Sequence, residues 1–173
     1  ILEKNGFTAD ELRVTELPVG QHVAALAAGQ IDGVYTLEPT GTVGRLKGLS
    51  RTLETGVISR YVLDNHDAPW FGGAAALNSG FIESRAADAK RFTQAYAKSV
   101  QFIQQNPEAA RDHITGYTSI EAELSKEVPL PGFVMYDELK GDNLAWFQKF
   151  YDVFTERKIF RQPVDVSSLI YQP

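Results

Sequence analysis

What most constrains this chain is the punctuation of its first third. Between Ile1 and Gly56, short apolar segments of changing period are cut by Gly6, Pro18, Gly29, Pro39 and Gly48. "ILEKNGF" reads as the last turn of a helix, with basic Lys4 and then Asn5-Gly6 as its left-handed stop. "RVTELP", from Arg13 to Pro18, alternates as a short strand, and "GQHVAALAAGQ" follows as a helix of good formers closed by Gly29. "IDGVYT", from Ile31 to Thr36, is the next strand. "PTGTVGRLKG" is a weak helix with Pro39 in its first turn and Gly48 at its end, and "SRTLETG" offers a third strand. Helix and strand in strict alternation predict a parallel sheet with crossover helices.

The pattern changes further on. From Val57 to Gly73 no period holds, and "AAALNSGFI" reads as a strand running into a turn at Asn78-Ser79-Gly80. From Ser84 the chain reads as helical. Phe92, Tyr96, Val100 and Ile103 share one face, Asn106-Pro107 breaks and restarts the helix, and Gly116 stops it. Thr118 and Glu121 have the spacing of a capping box for a third helix. A fourth, near Asp142 to Arg157, carries Leu144, Phe147, Tyr151 and Phe154 on one stripe and Trp146, Phe150 and Val153 beside it. So wide an apolar arc predicts burial on more than one side. It is expected to be covered by another copy of the chain, by rearranged helices, or by a preceding segment. Gly72-Gly73, where alternation gives way to helices, is the expected boundary or hinge.

Composition narrows the function classes. The 173 residues carry a net charge of −5, which argues against a nucleic-acid groove, and no apolar run has the length of a membrane span. There is no cysteine, so disulfides, thiolate metal sites and cysteine nucleophiles are excluded together. His22, His66 and His113 form no metal-ligand spacing, and neither G-x-S-x-G nor a phosphate-binding glycine loop occurs. The carboxylates Asp32, Glu38 and Glu54 have no visible nucleophile to serve. No catalytic residue, metal or cofactor is therefore expected.

Binding remains. His22, Tyr35, Thr36, Glu38, Trp70 and Phe71 all stand at predicted element ends or in the loops that follow, an aromatic and hydrogen-bonding set of the kind that lines small-molecule clefts. Glu38 has two readings: a ligand-facing carboxylate, or a turn former accepting backbone N–H groups.

"VTELPVGQHVAALAAGQIDGVYTLEP" resembles the solute-binding proteins of ABC importers of the nitrate, sulfonate and taurine type. "FTQAYAKSVQFIQQNPEAARDHITGYTSI" is similar to the same family's later helices, and "FYDVFTERKIF" with "VDVSSLI" to its C-terminal end. Leu37 stands where tryptophan is common before Glu-Pro in that family. The resemblance implies an α/β, type II periplasmic-binding-protein-like fold of two lobes, incomplete here: residues 1–71 as most of the second lobe, and residues 72–173 as the hinge return and helical part of the first. It implies a small-molecule ligand in an interlobe cleft, a membrane permease as partner and a periplasmic or extracytoplasmic location. A signal peptide would lie in a segment before Ile1. The ligands it suggests are a sulfonate, nitrate, a taurine-like compound or a related heterocycle. Anions would want Arg, Ser and helix N-termini, whereas amines would use Glu38, Tyr35 and Trp70. The resemblance also touches an enzyme on the same fold like the thiamine-pyrimidine synthases, against which the absence of cysteine counts, and a separate alternative is the ligand-sensing domain of a transcription regulator.

Overall fold

The computed structural model describes every residue except Ser119, and Ala9 by its backbone. Among the described residues eight α-helices follow one another: α1 (His22–Ala27), α2 (Thr40–Leu46), α3 (Val57–Tyr61), α4 (Ser79–Ser84), α5 (Ala86–Gln105), α6 (Pro107–Arg111), α7 (Ala122–Glu127) and α8 (Gly141–Glu156). Single 3-10 turns stand at Glu3–Asn5, Ala9–Glu11, Val19–Gln21 and Val166–Leu169. Among the described residues there is no strand, only an isolated bridge between Thr115 and Thr118.

The expected partial parallel α/β lobe is therefore corrected to a helical arrangement. Residues 13–18, 31–36 and 50–55 run without regular structure and do not pair with one another, and no strand precedes Asn78. The reason is physical. Alternation tells a segment which side is apolar, but a strand exists only through a neighbour's amides and carbonyls. Without that neighbour the apolar side goes uncovered: Val14 and Leu53 are each 83% exposed.

Contacts divide the chain into two compact units. One comprises Leu2–Thr55 and Asn106–Pro131. Here α1 packs on α2, and Gly44 makes the approach possible. A Cβ at Gly44 would stand 2.3 Å from Ser50 Oγ and 3.3 Å from Val23 Cγ2. Gly29 ends the α1 region at φ +66° and Gly6 follows the first 3-10 turn at φ +86°, left-handed positions that favour glycine. A capping box does form, but at Thr8 and Glu11: Glu11 Oε2 accepts from Thr8 N–H at 2.7 Å and from Thr8 Oγ1 at 2.8 Å. The one expected at Thr118 and Glu121 does not. Thr118 Oγ1 accepts from Ile120 N–H and donates to the Ile114 carbonyl, and Glu121 takes the cap position of α7. The Arg111 guanidinium donates to the carbonyls of Ser125 and Val128, both at 2.7 Å, and so satisfies the end of α7 from α6.

The other unit comprises Ile1, Gly56–Gln105 and Gly132–Pro173. In it, α4 packs on α5, and the Asn78 side chain caps α4 by accepting from Phe81 N–H at 3.2 Å. What reads as a turn in sequence is thus a helix start. The α8 stripe builds an aromatic chain: Phe147 meets Tyr151 at 5.1 Å, Phe150 meets Phe154 at 5.1 Å, and Phe160 closes on both Tyr151 and Phe154. None of its members is fully buried. Gln148, on the same helix, donates to the Val164 carbonyl at 2.8 Å and accepts from Val166 N–H at 3.1 Å. That double bond seats Val166, which is 1% exposed, against α8. Asp165 then caps the last 3-10 turn through Ser167.

Gly44→Val should lower stability by about 1–3 kcal/mol through overpacking, read as a shift of the urea midpoint. Gly20→Ala, with nothing within 4 Å of the added carbon, should leave the midpoint within about 0.5 kcal/mol. Equal midpoints for the two variants would contradict the packing described.

A second expectation concerns acid. Backbone and side-chain bonds from Thr8 hold Glu11 below its ordinary carboxylate value, and bonds from Ser167 do the same for Asp165. Groups with depressed folded values stabilise above the unfolded value and lose that contribution as pH falls through the folded one. Side-chain NMR titration should therefore find both carboxyls titrating late on acidification, with the Thr8 and Ser167 amide shifts following them. Titration at ordinary carboxylate values would show the caps absent in solution.

Candidate functional site

His22 opens α1 and is buried, yet both of its ring nitrogens are engaged. Nε2 lies 3.0 Å from the Leu17 carbonyl oxygen and Nδ1 lies 3.0 Å from Thr36 Oγ1. A carbonyl can only accept, so Nε2 carries the proton. In the neutral ring Nδ1 is then an acceptor, and the Thr36 hydroxyl donates to it. One imidazole thereby ties the segment at Leu17 and the segment at Thr36 to the start of α1. No ladder does so.

Two residues on, Glu38 stands before α2. Its Oε2 accepts from Thr42 N–H at 3.1 Å, which satisfies a first-turn amide of the helix. The remaining first-turn bonds run from Gly41 N–H to the Leu37 carbonyl and from Val43 N–H to the Pro39 carbonyl. The Glu38–Pro39 peptide is cis. A carbon added at Gly41 would stand 3.1 Å from Glu38 Oε1 and 3.7 Å from the Thr36 methyl. Glu38 Oε1 and the Thr36 methyl therefore both lie over the bare Cα of Gly41.

Tyr35, next to Thr36 in sequence, is 52% exposed, and partial burial pushes its phenol above the ordinary tyrosine value. Leu37 is exposed on the other side of Thr36. The structure bonds His22 to Thr36, and it realises the turn-forming reading of Glu38 through Thr42. What sequence reasoning missed is Gly41 and the Leu17 carbonyl. The signal available was Glu38 followed three residues later by a glycine at the start of a helix, a place where a backbone can come close to a carboxylate.

Trp70 and Phe71 belong to the other unit. The Trp70 ring folds over Gly72, where an added carbon would lie 2.6 Å from its six-membered edge, and the residue keeps an exposed face. Phe71 meets Phe147 at 4.9 Å and so joins the aromatic chain of α8. Among the described residues no group of three His, Asp or Glu is placed to hold a metal ion, and no helix is long and apolar enough to cross a membrane.

The comparison with known families gives the particular grouping. Residues 1–116 match the NMT1-like family, and the chain belongs to that family. It is a family of solute-binding type, which supports in broad terms the resemblance seen in the sequence. No curated protein and no solved structure matches the chain.

His22→Phe keeps the ring volume but leaves the Leu17 carbonyl and the Thr36 hydroxyl without their partner. The expected loss is about 1–3 kcal/mol in urea unfolding, the cost of polar groups left unsatisfied. Retention of full stability would mean that water serves those two groups equally well.

Proposed function

We propose that the chain is the solute-binding component of an ABC importer, acting in the periplasm or an equivalent extracytoplasmic space. It binds a small molecule and hands it to a membrane permease. It is a receptor, not an enzyme. The observation that carries this reading is the match of residues 1–116 to the NMT1-like family. The hydrogen-bonding side chains of Thr36 and Glu38, which alternate in sequence with exposed Tyr35 and Leu37, support it. Trp70, with its exposed face, is a further ligand-facing candidate. His22 acts behind Thr36, and Phe71 acts through packing. Neither has a free polar atom to give a ligand.

The test is to purify the full chain from cells under native conditions, denature it, and identify released small molecules by mass spectrometry. A stoichiometric solute is expected, and the double variant Thr36→Val, Glu38→Gln should release far less. Adding that solute back at 100 times its dissociation constant should stabilise the native chain by about 2.7 kcal/mol. A chain that carries nothing, and that no small solute stabilises, would overturn the proposal.

A further inference from the structure

Away from His22 and Glu38, α6 and α7 face each other across a cavity of about 420 Å³. On the α6 side it is lined by Glu108, Arg111, Asp112 and Thr115, whose spacing puts them on one helical face. The winding carries on past the end of α6: His113 N–H donates to the Ala110 carbonyl and Ile114 N–H to the Arg111 carbonyl, both at 3.1 Å. On the α7 side, Ala122, Ser125 and Lys126 line it in the same way. All of these residues belong to one compact unit.

The floor of the cavity is held in place. Arg111, its side chain 18% exposed, spends both Nη1 protons on the Ser125 and Val128 carbonyls, and its Nε donates to Glu108 Oε1 at 3.3 Å. A guanidinium has five N–H donors, so the two on Nη2 are left, and no acceptor among the described residues takes them. Lys126 is already paired with Glu123 at 3.0 Å. Ser125 Oγ donates to the Ala122 carbonyl at 2.8 Å and keeps only its lone pairs. The Asp112 carboxylate has no donor among the described residues. The cavity thus carries one uncommitted positive group and one uncommitted negative group. Its lining as a whole sums to zero charge, Arg111 and Lys126 against Glu108 and Asp112. A lone anion would gain Arg111 and meet Asp112, and a lone cation would do the reverse, so the two terms oppose each other for either.

We infer that the cavity between α6 and α7 binds a small zwitterion, its anionic end on Arg111 Nη2, its ammonium on the Asp112 carboxylate, and its body against Ala122. The Thr115 hydroxyl can donate to one end or accept from the other, and Ser125 Oγ can accept from the ammonium. This site is separate from Thr36 and Glu38 and does not use them.

The probes are 4-aminobutanoate, butanoate and butylammonium, titrated into the full chain near pH 7.5 and followed by amide shifts. 4-Aminobutanoate should move the amides of residues 108–115 and 122–126. It should bind at least about tenfold tighter than either singly charged probe, the scale of one hydrogen bond to a charged group. Asp112→Asn should bring it to within about threefold of butanoate. Ala122→Leu, at an exposed position, narrows the cavity without removing a polar atom; it should weaken binding by at least about tenfold and leave the urea midpoint in place.

Equal affinity for a singly charged probe, or an Asp112→Asn chain that keeps the full preference, would overturn the selection of a zwitterion. Unchanged binding by Ala122→Leu would overturn the placement in this cavity. If no probe moves the amides of residues 108–115 and 122–126, or if shifts are confined to residues 35–38, the site is overturned while the reading of Thr36 and Glu38 stands.

Discussion

Three segments of the first unit are tied together by one imidazole. The His22 side chain joins the segment at Leu17, the segment at Thr36 and the first turn of α1. Each of its two hydrogen bonds is worth about 1 kcal/mol net, because water would otherwise serve the same groups. Their structural weight is larger than that number. An extended segment without a ladder has no register of its own, and a buried ring with both nitrogens committed supplies one. The geometry also fixes the tautomer, so the same contact that places the Thr36 backbone decides which way the Thr36 hydroxyl points.

The same device recurs where a sheet would otherwise be needed. Gln148 offers its amide to Val164 and Val166 as a neighbouring strand would, one donor to a carbonyl and one acceptor to an N–H. Arg111 closes the carbonyl end of α7 with two bonds from a single nitrogen. His22 and Gln148 each replace backbone pairs with one side chain, and Arg111 serves helix-end carbonyls that have no intrahelical partner. That is economical in residues and exacting in identity. A ladder tolerates most substitutions because its bonds are made by the main chain, whereas these three joints fail if a single residue changes.

This contrast explains what the sequence could and could not disclose. Helices were legible because their signals are local. Gly6 and Gly29 adopt the left-handed conformation their positions suggested, Pro107 opens α6, and the stripe of Phe147, Tyr151 and Phe154 lies along α8 as spaced. Strands were not legible, because alternation at residues 13–18 and 31–36 is equally local while pairing is not. Helix α3 was hidden in "VISRY", whose β-branched and aromatic residues give no helical period. The capping box was assigned to Thr118 and Glu121 by spacing, yet the one that forms is Thr8 with Glu11. For the site, residue types at element ends pointed to His22, Thr36 and Glu38. The reason offered for them, the carboxyl ends of a parallel sheet, did not hold. A buried ring and the start of α2 bring them together instead.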